Sequence, residues 1–285
     1  MNDIVPVERM NIMLTYGSPF YILSLVLLAI LAGTTYFLLH NRSLRAQKWT
    51  ILAIMLLNLF QHLFKSVIYP QYAGQGFTSI SSAYNMCAVL IIFSPVAFLM
   101  KSRFLKNFIY AVGMVAGIAA IAVPVWYIGD PISTLGWDYF RFYICHAGLF
   151  VTSLLPLLLG LHKPSYKEFW QVGLVFLLAL CLILLNDMVF MSLGLYAGAD
   201  IHDFYGSMLR INPCGLMGPP KNLPWVVKIV RFFSPSVLMG NNPAGLYVPI
   251  LWYAIPLYLG ISIVAFMMFS FIDRKELSNN HSKKR

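Results

Sequence analysis

Seven long apolar stretches, separated by short polar connections, dominate the hydropathy pattern of this chain. At 1.5 Å per residue, each is long enough for a helix to cross a hydrocarbon core of about 30 Å. The stretches are residues 19–39, 49–69, 81–100, 107–128, 139–161, 169–190 and 246–272. The pattern predicts an all-α polytopic membrane protein with about seven transmembrane helices.

The composition and the charge distribution extend this prediction. Hydrophobic residues make up 59% of the chain and charged residues only 11%, against roughly a quarter charged in soluble domains. Lys and Arg follow the first, third, fifth and seventh stretches, which places the N-terminus outside and the C-terminus in the cytoplasm. The net charge of +10 therefore reflects membrane topology, and we expect no nucleic-acid partner.

Residues 1–285 are predicted to form a single integral membrane domain, in which residues 191–246 are an extended extracellular loop. Within this loop, residues 222–233 favour a helix, with Asn222 as a cap and Pro224 in the first turn. Lys228 and Arg231 would share one face of that helix, opposite apolar residues. This pattern is typical of an interfacial or re-entrant helix, and a packed loop is the alternative.

Reactive polar side chains interrupt four of the stretches at similar predicted depth. Such groups in hydrocarbon cost about 2.5–3.5 kcal/mol on insertion scales, so they normally face a bundle interior or a cavity. Counted from the outer ends of their spans, they lie no more than roughly 10 Å deep. The residues are Gln61, His62, Lys65, Cys87, Arg141, Cys145, His146, Asn186 and Asp187.

The second stretch carries four of its polar residues on one helix face. Their spacing is i, i+3, i+4, i+7, and they are Asn58, Gln61, His62 and Lys65. Hydrogen bonding between helices explains an amide or a histidine there without any chemistry. A lysine packs poorly without a partner, so Lys65 favours a hydrated cavity, with Asp187 as a candidate counter-charge.

A thiol and two imidazoles at one depth suggest nucleophilic chemistry. Cys87 alone is typical of inert packing, but a neighbouring base would convert it into a thiolate nucleophile. His62 and His146 lie at a compatible depth. The chain has no HxxxH or HExxH spacing and no phosphate-binding glycine motif, so we expect neither a metal nor a cofactor.

Several short motifs resemble the YwaF-like integral membrane family. Tyr84-Asn85-Met86-Cys87 is similar to the cysteine motif of that family, and the Asp138 to His146 segment resembles its aromatic, arginine-containing stretch. Asn186 and the downstream Gly218-Pro219-Pro220 and Pro224-Trp225 are also similar. Similar eukaryotic transmembrane proteins are assigned lipid acyl transfer through a cysteine nucleophile, and the resemblance implies this role for Cys87. It also implies a multi-pass protein of a bacterial plasma membrane.

These observations favour a membrane-embedded enzyme that acts on lipid acyl chains, by acyl transfer or hydrolysis, with membrane lipids as its partners. The predicted catalytic residues are Cys87 as nucleophile and His146 or His62 as base. The predicted substrate-binding residues are Gln61 and Asn186 for an oxyanion, Lys65 and Arg141 for a lipid phosphate, and Asp187. The alternatives are a small-molecule transporter or binding protein that uses the same polar cavity, and a scaffold without chemistry.

Overall fold

The computed structural model of the chain describes residues 14–69, 78–124, 132–196, 198–219, 224–242 and 245–282. Its regular structure within these ranges consists of helices and single 3₁₀ turns. The helices are α1 (Pro19–Leu39), α2 (Leu44–Leu63), α3 (Lys65–Ile68), α4 (Met86–Leu99), α5 (Arg103–Ala122), α6 (Ile132–Leu158), α7 (Phe169–Ser192), α8 (Phe204–Ile211), α9 (Pro224–Phe233) and α10 (Ala254–Ser282).

By length and composition, five helical segments among the described residues are long and apolar enough to cross a membrane. They are Pro19–Leu39, Arg103–Ala122, Tyr139–Leu158, Tyr166–Ser192 and Ala254–Asp273. The two other predicted spans correspond to α2, which carries many polar residues, and to α4, which has 14 residues. At 1.5 Å per residue α4 is about 21 Å long, shorter than the hydrocarbon core. These two helices carry His62 and Cys87.

Side-chain caps set where the helices begin. The Ser18 hydroxyl accepts a hydrogen bond from the Tyr21 N–H and is followed by Pro19, whose restricted φ suits a first helical turn. Ser43, Asn85 and Ser102 cap α2, α4 and α5 in the same way. The third predicted span therefore starts as a helix at Met86, five residues later than its apolar stretch.

The bundle packs α5 against α6 and α7 against α10, with α2 and α4 in contact with α6 and α5. Glycines permit the closest approaches. A Cβ atom on Gly117 would lie 2.8 Å from the Phe150 nitrogen and 2.9 Å from the His146 carbonyl oxygen. On α7, a Cβ atom on Gly173 would lie 2.9 Å from the Tyr258 carbonyl oxygen of α10. Helix α1 lies at the periphery and packs mainly on α6.

The described part of the connection between α7 and α10 contains two short α-helices, α8 and α9. Helix α9 begins at Pro224 as expected, whereas the predicted cap, Asn222, lies outside the described residues. Lys228 and Arg231 are exposed, Val230 is buried, and Phe232 is 85% exposed. Helix α8 was not predicted. The last span begins as an α-helix at Ala254, eight residues later than expected, because residues 249–253 form turns.

Candidate functional site

A turn segment, residues 79–85, connects several helices at one end of the bundle, which we call the polar end. It runs from a 3₁₀ turn at Ser79–Ser81 to the N-cap of α4. The Ser79 N–H donates to the Leu195 carbonyl at 3.1 Å, and the Ser82 hydroxyl donates to the Ser79 carbonyl at 2.5 Å. These bonds hold the segment against the turn that follows α7.

His62 and Lys65 reach this turn segment from α2 and α3. The His62 Nε2 atom lies 3.0 Å from the Ser82 carbonyl oxygen. A carbonyl only accepts, so Nε2 carries the hydrogen and Nδ1 of the neutral ring is left as an acceptor. The Lys65 Nζ atom lies 5.1 Å from the centroid of the Tyr84 ring, within range of a cation–π attraction. Both His62 and Lys65 are buried.

Asn186 and Asp187 approach the same segment from α7. The Asn186 amide donates to the Ser82 hydroxyl at 2.9 Å and to Asp187 Oδ1 at 3.3 Å. Asp187 is fully buried, and its Oδ2 atom has no hydrogen-bond partner among the described residues. No ion pair joins Asp187 to Lys65 in the part of the chain that is described, so Asp187 does not act there as its counter-charge.

Cys87 occupies the first turn of α4 and is half-buried. The thiols within electrostatic range of it belong to Cys145 on α6 and Cys214 in the long loop. The Met86 N–H, one of the free donors at the start of α4, donates to the Cys214 sulfur at 3.4 Å. Within the described ranges, no hydrogen bond joins Cys87 to His62 or His146.

His146 lies on α6, and its Nδ1 atom is 2.7 Å from the Phe142 carbonyl oxygen. Because a carbonyl only accepts, Nδ1 carries the hydrogen, and Nε2 of the neutral ring is left as an acceptor. The half-buried Arg141 lies within electrostatic range of both His146 and His62. The structure therefore brings both imidazoles and Arg141 into one region of the polar end.

Gln61 and Asn58 face an apolar cavity of about 470 Å³ between α1, α2 and α6. The Gln61 Oε1 atom accepts from the Tyr69 hydroxyl at 2.7 Å, and the Asn58 amide donates to the Cys145 carbonyl at 3.0 Å. Gly148 makes this contact feasible, because a Cβ atom there would clash with the Asn58 amide. The remaining cavity wall is almost entirely aliphatic and aromatic.

Cys214 is the site residue that sequence analysis missed. It lies at φ 55°, and the preceding turn residue Asn212 at φ 38°, a region that residues other than glycine rarely adopt. The Tyr253 hydroxyl donates to the Cys214 carbonyl at 3.0 Å, and the Trp252 indole donates to the Gly215 carbonyl at 2.9 Å. These contacts hold the strained turn at the start of α4.

The described residues contain no group of three His, Cys, Asp or Glu side chains that could hold a metal ion. The polar end instead combines a thiol, two imidazoles with an open acceptor nitrogen, and a buried carboxylate.

These features define a multi-span membrane protein with a buried polar site at one end of an all-helical bundle. Residues 14–197 match the TMEM164 family, a transmembrane protein family, and the chain belongs to it. The resemblance to YwaF-like proteins stays a prediction. No curated protein and no solved structure matches the chain. Cys87, His146 and Asn186 lie within the matched residues, and Cys214 lies beyond them.

Proposed function

We propose that this protein transfers acyl groups between membrane lipids, with Cys87 as the nucleophile. The observation that carries the proposal is the apolar cavity between α1, α2 and α6. Its wall includes Asn58, which binds the Cys145 carbonyl, and Cys145 is in turn an electrostatic neighbour of Cys87. A cavity of this size lies within the usual range for small-molecule sites, and its walls suit an acyl chain.

The position of α1 gives such a chain a route from the bilayer. The C-terminal end of α1 meets the start of α2, because the Gln47 amide donates to the Leu39 carbonyl at 3.0 Å. At its other end, α1 is attached to α5 and α6 instead, through bonds from the Tyr21 hydroxyl to the Ala122 carbonyl and from Ser24 to Tyr143. The cavity occupies the space between the diverging α1 and α2, on the membrane-facing side of the bundle.

The first chemical step forms a thioester. The Cys87 sulfur attacks the ester carbonyl carbon of a donor lipid, a C–S bond forms and the ester C–O bond breaks. A histidine accepts the thiol proton at its open nitrogen and returns it to the departing alcohol oxygen. In the second step, the hydroxyl of an acceptor lysolipid attacks the thioester and regenerates the thiol.

Cys87 must approach a histidine for this proton transfer, since neither imidazole hydrogen-bonds the thiol in the structure. Catalytic hydrogen bonds often tighten only in the substrate complex. Gln61 lines the cavity, and because Tyr69 occupies its Oε1 atom, its amide N–H groups are the part of the side chain that would donate to an oxyanion. Arg141 and Lys65 supply positive charge for the lipid phosphate.

Transport, the alternative function, requires a polar path that continues through the bundle. The described core between the two ends is mostly apolar, and the hydroxyls buried there, those of Ser94, Thr152 and Ser153, bind backbone carbonyls. Its buried residues include Ile51, Met55, Leu90, Leu149 and Leu155. This favours an enzyme that works at one membrane face.

The proposed topology has seven membrane crossings and places the N-terminus outside. It includes the polar helix α2 and the short helix α4 as two of the crossings. Alternating basic connections support this orientation, which places the polar end at the outer face of a plasma membrane. The polar faces of α2 are buried against α6 and the turn segment, so these residues avoid hydrocarbon.

The decisive experiment is acyl transfer in reconstituted vesicles that contain a labelled phospholipid and a lysophospholipid acceptor. We expect Cys87→Ala to lower the transfer rate about a thousandfold or more, equivalent to about 4 kcal/mol. Cys181→Ala, which changes an exposed cysteine of α7, is the matched control and keeps its activity. A hydroxylamine-labile acyl adduct on Cys87 would identify the intermediate. Full transfer by Cys87→Ala would refute the mechanism.

A further inference from the structure

A second cavity, of about 530 Å³, lies at the opposite end of the bundle, which we call the basic end. It is formed by the first turns of α2 and α5 and by the end of α4. Four cations line it, namely Arg45, Lys48, Lys101 and Lys106, and none of the described acidic residues lines it. We call these four residues the basic quartet.

The carboxylates described at this end are engaged elsewhere. Glu168 is held by Arg103 at 3.0 Å and by the Asn107 amide at 2.8 Å, and Asp273 accepts from the Tyr166 N–H at 3.4 Å. No member of the basic quartet forms an ion pair within the described residues. The quartet therefore repels itself, and an anion in the cavity would relieve that repulsion.

The charges converge in space as well as in sequence. Lys106 is half-buried and lies within electrostatic range of Lys48 on the neighbouring helix. The positive-inside rule accounts for basic residues at this end, but it does not account for their convergence around one cavity. Arg42, Lys163 and Lys167 belong to the same end and lie outside the cavity.

The rest of the cavity wall is apolar and opens to the membrane. Trp49 and Leu99 line it and are 60% and 67% exposed, and tryptophan is typical of the membrane–water interface. On the inner side, Tyr110 packs on His162 with ring centroids 5.2 Å apart. The site therefore combines a cationic mouth with apolar walls, a combination that basic pockets between helices use to bind anionic headgroups.

We propose that the basic quartet binds a phosphate group, and that the apolar walls hold the chain that carries it. An anionic phospholipid and a soluble phosphate both supply the shared chemistry, and the experiment distinguishes them. The site is independent of the proposed acyl transfer, since it lies at the other end of the bundle and shares no residue with it.

The test measures binding by the purified full chain in detergent, by native mass spectrometry, with phosphatidylglycerol, phosphatidylcholine and inorganic phosphate as probes. We expect retention of phosphatidylglycerol over phosphatidylcholine, and an affinity for phosphatidylglycerol about tenfold lower or more in Lys48→Gln/Lys106→Gln. Arg42→Gln/Lys167→Gln removes the same charge from the same end outside the cavity, and we expect it to bind as the wild type does.

Two further measurements distinguish a lipid from a soluble phosphate and provide a second variant in case the first does not fold. Competition by inorganic phosphate at matched concentration supports the phosphate site and assigns a soluble ligand. Arg45→Gln/Lys101→Gln changes exposed side chains, so it gives the same test if the first pair does not fold. Equal loss in the quartet and control variants, or no preference for any phosphate anion, overturns the proposal.

Discussion

The two ends of the bundle use buried polar residues in opposite ways. At the basic end, the groups satisfy one another. His162 Nε2 donates to Asn107 Oδ1 at 2.6 Å, the Asn107 amide donates to Glu168, and Glu168 pairs with Arg103. This chain of hydrogen bonds, which we call the closed chain, stabilises the helix ends.

At the polar end, side chains bind backbone carbonyls and retain open acceptors. His62 and His146 each give one N–H to a carbonyl, and the buried Asp187 keeps an oxygen without a partner among the described residues. An unsatisfied buried oxygen costs about 1–3 kcal/mol. The open acceptors and the unpartnered carboxylate oxygen at the polar end indicate that function, rather than stability alone, determines the residues there.

We expect the largest loss of stability from adding a Cβ atom at the glycines where two helices touch. Gly117→Ala would press α5 on the Phe150 nitrogen and the His146 carbonyl, because its Cβ would lie within 2.9 Å of both. Overpacking usually costs 1–3 kcal/mol, and against rigid backbone we expect about 4 kcal/mol. The prediction is a lower temperature of thermal unfolding in detergent, together with lower acyl transfer.

Gly173→Ala creates the same kind of backbone clash between α7 and α10, but away from the polar end. We expect a similar loss of stability with acyl transfer per folded molecule retained. Gly33→Ala, on the peripheral α1 with nothing within 4 Å, is the neutral control. Equal loss of specific activity in Gly117→Ala and Gly173→Ala would contradict a site confined to one end.

The next largest effect is a loss of stability at acidic pH, which we expect from His162 at the basic end. Burial, and then the nearby Lys106 and Arg103, lower the pKa of His162 to about 4, more than Glu168 raises it. The unfolded chain binds the proton near pH 6.5, so stability present above pH 6.5 is lost as the pH falls toward 4. The loss reaches about 3 kcal/mol. Thermal unfolding measured across this window tests the prediction.

His162→Gln is the matched variant, because a glutamine amide still donates to Asn107 and does not titrate. We expect a flatter dependence of unfolding temperature on pH in this variant than in the wild type. An identical slope in the two proteins would show that the closed chain at the basic end is not the acid-sensitive element.

Hydropathy was sufficient to predict the peripheral parts of the fold. The first span, Pro19–Leu39, and the start of α7 at Phe169 agree with the structure, because lipid-facing helices are determined by length and apolarity alone. The third span differs, since residues 79–85 form a turn that is bound to Leu195. That contact depends on tertiary structure and leaves no periodic signal.

The sequence predicted that polar residues of different helices converge, but not the direction of each side chain. Residues at one depth do converge, as His62 and Asn186 both bind Ser82. Depth does not determine the direction of a side chain around its helix axis. The sequence therefore could not show whether Cys87 contacts a histidine. Cys214 was missed for a related reason: Trp252 and Tyr253 hold its turn from a distant part of the sequence.

The smallest effect compares the N-caps of two successive helices, one at each end. Asn85 accepts from the Ala88 N–H at 2.9 Å at the start of α4, and Ser102 accepts from the Leu105 N–H at 3.4 Å at the start of α5. Replacing either cap by Ala costs about 1 kcal/mol, so thermal unfolding should shift equally. Only Asn85→Ala loosens the turn that carries Cys87, and we expect it alone to lower acyl transfer several-fold. Asn85→Asp retains the cap and should restore the rate; equal activity in both alanine variants would show that the first turn of α4 does not position the thiol.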